Sequence, residues 1–179
     1  ALNINSGTLD IQNGALTVGS ILMSGVNPLI TSTSGSSSLN VVGSATLANA
    51  IFTSGTQTYS GPVTLSTSTS LTAPSVVFAS TLSDGGSDSL TITGNASFSG
   101  SVSNMGSLSV SGSTTMNTSS IETSGTQTYG GNIALGTNTT LTAGLFNFTN
   151  VTTSGAYALT LAPYGTSFNS TQSLSGLTL

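Results

Sequence analysis

Residues 53–73, TSGTQTYSGPVTLSTSTSLTA, return almost unchanged as residues 123–143, TSGTQTYGGNIALGTNTTLTA. The two segments are identical at 14 of 21 positions. Upstream, SLNVVGSATL from Ser38 matches SLSVSGSTTM from Ser107. Recurrence of this length is the signature of a repeat architecture. The chain therefore divides into a partial repeat (1–37), copy one (38–106), copy two (107–176) and the start of a further repeat (177–179).

Apolar residues within the repeats come in pairs separated by one residue, as in Val63/Leu65 and Leu90/Ile92. This spacing places both members on one face of a strand, and turn dipeptides such as Ser6-Gly7 and Asn13-Gly14 separate the units. The first residues repeat the unit every seven positions, at Leu2/Ile4, Leu9/Ile11 and Leu16/Val18. Three such sides make one coil of a stack.

The pattern predicts an all-β fold, a parallel β-helix (β-solenoid) of about eight coils. Coils of about 21 to 25 residues would place about three in each repeat. The alternative is an antiparallel β-sandwich, because Gly-containing corners also form hairpins. The predicted inward residues are Leu47, Val63, Leu65, Leu71, Phe78, Leu90, Ile92, Met116, Ile133, Leu135, Leu141 and Phe148.

The composition excludes most chemistry. The chain contains no Lys, Arg, His or Cys, and its only ionised side chains are Asp10, Asp84, Asp88 and Glu122. Acid–base catalysis near neutral pH and nucleophilic triads need groups that are absent, and phosphate recognition uses Lys and Arg. We therefore expect no enzyme, no catalytic residue, no cofactor and no nucleic-acid partner. The sequence has no run of 18 apolar residues, and so no membrane span is predicted.

Ser and Thr account for 67 of the 179 residues, and the mean hydropathy is +0.29. Disordered chains combine low hydrophobicity with high net charge, so this chain is expected to fold. With a formal net charge of −4, little repulsion opposes contact between copies. We expect self-association, either laterally or end to end, with the segment Leu177–Leu179 continued by the next molecule's first strands.

The segments SLTITGNASFSG and SLSVSGSTTMNTSSIETSGTQTYGGNIALGTNTTLTA resemble the β-strand repeats of giant bacterial surface proteins, the filamentous-haemagglutinin-like and autotransporter-type adhesins. The resemblance implies a right-handed parallel β-helix shaft, exported to a Gram-negative cell surface, that works in attachment or in an extracellular fibre. Host or matrix carbohydrate is an implied partner. The chain departs from the family at Val26-Asn27-Pro28-Leu29, which only partly matches the N-P-N-L type motif of secretion domains.

Other functions compatible with a β-helix are a self-assembling extracellular matrix or sheath filament, an ice-binding face and a carbohydrate-processing enzyme. An ice-binding face requires one Thr-x-Thr pair per coil, but the pairs that begin at Thr56, Thr67, Thr126 and Thr137 form two close couples that lie far apart in the sequence. Carbohydrate-processing sites use clustered acidic or basic residues, and this chain has no such cluster. The leading prediction is therefore a non-enzymatic structural shaft.

Two sets of residues are candidate sites. Asp84 and Asp88 lie in the Gly-rich segment SDGGSD and offer oxygen ligands for a calcium ion. Because this loop has no counterpart in copy two, a solvated turn is favoured, and we expect it to stay empty at physiological calcium. Tyr59 and Tyr129 occupy equivalent repeat positions beside Gly or Ser and either form exposed surface contacts for sugar stacking or pack at a corner.

Overall fold

The computed structural model describes residues 1–164, which form 19 β-strands and no helix. The predicted opening of a further repeat at Leu177 lies outside the described residues. The strands are β1 (Leu2–Asp10), β2 (Gly14–Val18), β3 (Ile21–Thr31), β4 (Ser37–Val41), β5 (Ala45–Phe52), β6 (Gln57–Tyr59), β7 (Val63–Phe78), β8 (Leu82–Ser83), β9 (Ser89–Phe98), β10 (Val102–Met105), β11 (Ser107–Val110), β12 (Thr114–Met116), β13 (Ser120–Thr123), β14 (Thr126–Tyr129), β15 (Ile133–Leu135), β16 (Thr139–Ala143), β17 (Leu145–Phe148), β18 (Thr153–Ser154) and β19 (Leu159–Pro163).

Every strand pairs in parallel with strands one coil earlier or later in the sequence. Leu39 of β4 pairs with Gln57 of β6, which pairs in turn with Val76 of β7. The long strand β7 contributes to all three sides of its coil and pairs with β5, β6, β8 and β9. The predicted parallel β-helix is therefore confirmed, and the alternative antiparallel sandwich is wrong.

The inward residues form one continuous column on each of three sides. The first side stacks Leu2, Ile21, Ala45, Val63, Leu82, Val102, Ile121, Leu141 and Leu161. The second side stacks Leu9, Ile30, Ile51, Leu71, Ile92, Val110, Tyr129 and Phe148. The third side stacks Val18, Val41, Tyr59, Phe78, Phe98, Met116 and Leu135.

These columns and the second inward residue of each pair fill the interior of eight complete coils, as the sequence predicts, and the third column ends at Leu135 in coil 7. The apolar pairs of the first eighteen residues form the three sides of coil 1. All twelve residues predicted to point inward are buried, in a single apolar cluster that runs past the boundary between the two copies at residues 106 and 107. Aromatic rings extend the packing, with Phe78 stacked on Tyr59 at 5.3 Å and on Phe98 at 5.5 Å.

The coils are shorter than predicted over most of the solenoid. In the first coil Gly14 pairs with Ser37, which agrees with the predicted length. One coil later Leu39 already pairs with Gln57, and further along Leu108 pairs with Gln127. The predicted coil length is therefore wrong for most of the solenoid, because corners of two or three residues suffice where Gly or Ser occupies the turn.

The shorter coil changes how the sequence repeat is placed in the fold. Gln57 lies on the third side, where it is followed in the same inward column by Val76, Ala96 and Thr114, one in each successive coil. Thr114 is thus three coils, or nine sides, further along the solenoid than Gln57. Two further sides, those of Ile121 and Gln127, complete the repeat. One repeat is thus eleven sides, or 3⅔ coils, and not the predicted three. Equivalent residues of the two copies consequently lie on different faces of the rod.

Candidate functional site

A polar cluster is buried inside the third side, at the corner where the second side ends. The side chains of Gln57 and Tyr59 are both 0% exposed. The Nε2 of Gln57 donates to the carbonyl of Ile51 at 3.2 Å and to that of Thr72, one coil further, at 3.1 Å. The hydroxyl of Tyr59 donates to Oε1 of Gln57 at 3.1 Å. Both amide hydrogens and the amide oxygen are therefore used, and the cluster joins two successive coils.

The same cluster recurs at Gln127 and Tyr129. The Nε2 of Gln127 donates to Ile121 at 3.0 Å and to Thr142 at 2.9 Å, and the Tyr129 hydroxyl donates to Gln127 Oε1 at 3.0 Å. Gln127 lies on the second side, whereas Gln57 lies on the third side. We call these two arrangements the corner clamps, because each ties a corner of one coil to the next.

The turn before each clamp is also the same in both copies. The hydroxyl of Thr53 donates to the Gly55 carbonyl at 2.7 Å, and that of Thr123 donates to the Gly125 carbonyl at 3.3 Å. Both Thr side chains are buried, which explains why an apparently polar TSG segment is retained at an inward corner. The turn and the clamp together form one structural unit.

The proposed surface contact at Tyr59 and Tyr129 is wrong. Both rings lie in the core, where Tyr129 stacks on Phe148 at 5.8 Å, because each Tyr follows an inward Gln by two residues and so faces the same way. Burial disfavours the charged phenolate and raises the pKa of Tyr59 and of Tyr129 above the ordinary value. The corner-packing alternative describes their position.

The acidic loop uses its carboxylates locally. Asp84 is largely buried, and it accepts hydrogen bonds from the backbone N–H of Gly86 and, at 3.4 Å, from that of Gly106. Asp88 accepts from the Ser68 hydroxyl at 3.5 Å. Within residues 1–164 no group of three or more acidic, His or Cys side chains could hold a metal ion. That the loop stays empty at physiological calcium remains a prediction.

The remaining acids lie apart from that loop and from each other. Asp10 is half-buried, and hydrogen bonds from the Thr33 hydroxyl and the Gln12 N–H lower the pKa of its carboxyl. Glu122 is exposed on the first side, as is its repeat equivalent Phe52 on the second, and it accepts a hydrogen bond from the Tyr164 hydroxyl. That bond is the main cause that raises the pKa of Tyr164.

The four Thr-x-Thr pairs do not share a face. Thr69 and Thr139 are buried, so two of the pairs contribute only one outward hydroxyl each. Thr58 lies on the third side and Thr128 on the second, where they pair with Asn40 and Ser109 respectively.

The outer surface of the third side is the most uniform face of the rod. We define the third face as residues 38–42, 56–60, 75–79, 95–99, 113–117 and 132–136, one segment from each of coils 2 to 7. Its outward positions carry only Ser, Thr, Asn, Val, Ala and Gly. Its central column is in strict register: Asn40, Thr58, Val77, Ser97, Thr115 and Ala134.

The sequence reasoning missed the two glutamines and the third face. The sequence contains a signal for the inward position of the glutamines. Gln57 and Gln127 each precede a Tyr by two residues, so each Gln lies on the same face of the strand as its Tyr. A buried amide in a sheet interior must find hydrogen-bond partners. The third face gave no such signal in the sequence, because the residues that form it can be identified only when the coil to which each residue belongs is known.

No protein-family model, no curated protein and no solved structure matches this chain. Among residues 1–164 no helix is long and apolar enough to cross a membrane.

Proposed function

We propose that this chain is part of a non-enzymatic structural shaft, exported by a bacterium and belonging to an extracellular adhesin or fibre. The observation that carries the proposal is the uninterrupted interior: columns of inward residues run along all three sides of the solenoid, and the buried Gln side chains at the corners bond to the next coil. At about 4.8 Å per coil, eight coils give a rod about 38 Å long.

The side-chain chemistry supports a structural function over catalysis. The chain supplies no Lys, Arg, His or Cys. Within each corner clamp the Gln and Tyr side chains form hydrogen bonds to one another and to the backbone. A buried group whose donor hydrogens are all engaged has none left to offer a substrate. The resemblance to adhesin repeats and the near-absence of charge suit a shaft outside the cell, where it spaces a binding end from the surface or associates with its neighbours.

A matrix or sheath filament is the second candidate function. Each coil joins its neighbours by the same parallel ladders, as where β4 pairs with β2 on one edge and with β6 on the other. A ladder of this kind can be continued by a strand of another chain. In this version separate chains stack end to end, and the shaft is assembled from subunits.

Immunogold labelling of source cells, with antibody raised against residues 1–164, tests the proposal. We expect label on extracellular fibres or on the outer cell surface, and we expect protease added to intact cells to remove it. Label that stays inside the cell and is protected from protease contradicts the proposal. Denaturing gel electrophoresis of the same material separates the two candidates, because stacked subunits migrate as separate short chains and a giant polypeptide migrates as one long chain.

A further inference from the structure

The three faces of the rod differ in charge. The first face carries Glu122 and borders Asp84, and the second borders Asp10 and Asp88. The third face has no charged side chain at any outward position in coils 2 to 7. Like charges on two approaching copies repel, and in coils 2 to 7 the third face, unlike the other two, has no carboxylate on it or at its edges, so two copies meet there without that cost.

The third face is also flat. No outward side chain on it is longer than Asn, and the side chains of its central column follow one another from coil to coil in register. Short side chains lose little rotamer freedom when they are covered, in contrast to Lys or Glu. Covering this face therefore costs less conformational entropy than covering an ordinary protein surface.

From these properties we propose that the third face packs against the third face of a second copy of this chain. The two surfaces are commensurate by construction, because both carry side-chain ladders at the same spacing of about 4.8 Å. The short side chains of the mixed central column can then interdigitate coil by coil, as side chains do between paired sheets of stacked strands. The inference deepens the proposed function, on which its biological meaning rests, since it assigns the partner of the shaft.

The size of the face sets the strength of the contact. Six coils at about 4.8 Å and five residues at about 3.3 Å give about 29 Å by about 16 Å. Two copies would bury about 950 Å² in total, close to the lower bound of about 1,000 Å² for specific interfaces. Residues 1–164 should therefore form a weak, reversible dimer, and a shaft with more coils should associate more strongly in proportion to its length.

A second copy suits this face better than a glycan. The third face has no aromatic outward side chain on which a sugar ring could stack, because Tyr59, Phe78 and Phe98 of these coils all point inward. When a sugar binds, the hydroxyls of this face would replace their hydrogen bonds to water by similar hydrogen bonds to the sugar. This replacement contributes little to the free energy of binding. Contact between two protein faces adds close packing of Val77, Ala134 and the Thr methyl groups.

Sedimentation velocity on the chain and on two matched double variants tests the proposal. The first variant carries Thr58→Lys and Ser97→Lys on the third face; the control carries Ser70→Lys and Ser109→Lys on the second face. In each pair the residues are half-buried, outward, central on their side of the coil and two coils apart. Circular dichroism and thermal unfolding must show that both variants fold.

We expect the unmodified chain and the second-face control to form reversible dimers at about 1 mM. The third-face variant should weaken association by about tenfold or more, because it brings like charges together. A monomeric unmodified chain at that concentration overturns the proposal, as does equal weakening by both variants or by neither. Strand stacking at the coil ends predicts that neither variant matters. None of these outcomes bears on where the label lies in the immunogold experiment.

A single engineered cysteine provides a second readout, since the chain has no Cys of its own. Ser97→Cys lies near the middle of the third face and Ser109→Cys on the second face. In a two-fold dimer through the third face, we expect a mild oxidant to form disulfide-linked dimers of the Ser97→Cys chain faster than of the control. Equal rates would contradict the assigned face.

Discussion

The corner clamps at Gln57 and at Gln127 have the same hydrogen bonds but different positions around the rod. The first follows Ile51 at the corner between the second and third sides, and the second follows Ile121 at the corner between the first and second sides. The donor–acceptor distances agree closely: 3.2, 3.1 and 3.1 Å against 3.0, 2.9 and 3.0 Å. The corners are therefore interchangeable.

This equivalence explains what the two copies have in common. Of the seven positions that differ between 53–73 and 123–143, six are not buried, and the seventh is the Val63/Ile133 pair. The shared residues include the clamp, the buried turn Thr and the inward Leu of each strand. A repeat of eleven sides can thus start on a different side of the rod and keep the same inward residues, because each inward side chain packs mainly on its neighbours in the coils before and after it.

Removal of a clamp should produce the largest effect. Gln57→Ala leaves the Tyr59 hydroxyl without its acceptor, removes both donors to Ile51 and Thr72, and opens a cavity. We expect a loss of about 3 kcal/mol in the free energy of unfolding, measured by urea denaturation. Gln127→Ala should lose the same amount within about 1 kcal/mol if the corners are equivalent.

The outward Thr58→Ala serves as the control in the same strand, with an expected change within about 0.5 kcal/mol. A loss at Gln57 much larger or smaller than at Gln127 would mean that the two corners differ energetically despite their shared geometry.

The turn before each clamp should be the next most sensitive position. A Cβ on Gly55 would lie 2.7 Å from the Ser37 carbonyl oxygen, and one on Gly125 would lie 2.6 Å from that of Gly106. We expect either Gly→Ala substitution to cost about 2 kcal/mol by overpacking, measured by thermal unfolding. Gly85→Ala is the control, because nothing lies within 4 Å of its Cβ position. A control as unstable as Gly55→Ala would contradict steric contact as the cause.

The clamp tyrosines should make the fold sensitive to alkaline pH. Burial raises the pKa of Tyr59 and Tyr129 in the folded chain, so their contribution is fully present below the unfolded pKa of about 10 and is lost as pH rises toward the folded value. Each should reduce stability by about 1.4 kcal/mol per pH unit above pH 10.

Tyr59→Phe tests this dependence with one phenol removed. We expect a loss of about 1 kcal/mol at neutral pH, from the missing hydrogen bond to Gln57, and a shallower decline in stability above pH 10, measured by urea denaturation across pH. The exposed Tyr157→Phe is the control and should leave the slope unchanged. An unchanged slope in Tyr59→Phe would mean that the ring ionises without unfolding.

A small gain in stability is expected at Thr114, which occupies the inward column of Gln57 three coils further on. Among the described residues its Oγ1 is the buried side-chain oxygen without a hydrogen-bond partner. Thr114→Val should stabilise the fold by about 1 kcal/mol, measured by urea denaturation. Thr123→Val, which removes the bond to the Gly125 carbonyl, should instead destabilise it by about 1 kcal/mol. Destabilisation at both positions would indicate that Thr114 also has a partner, for example a bound water.

The sequence alone determined which side chains form the interior, and its repeat favoured stacked coils while leaving the antiparallel sandwich as an alternative. The spacing of pairs such as Val63/Leu65 fixes which side chains share a face, because a strand has a period of two. The same rule was sufficient to place Gln57 inward with Tyr59. Of the two alternatives for the tyrosines, the rule thus favours packing at a corner over an exposed surface contact.

Only the tertiary structure decided the length of the coil, and everything that depends on it. Corner lengths set that number, and a corner of two residues or of five leaves the same apolar pattern in the sequence. The shortening of the coil between the Gly14–Ser37 pair and the Leu108–Gln127 pair turns a repeat of three coils into one of 3⅔. Which residues share a face therefore depends on long-range pairing, and so the third face became visible only when the strands were stacked.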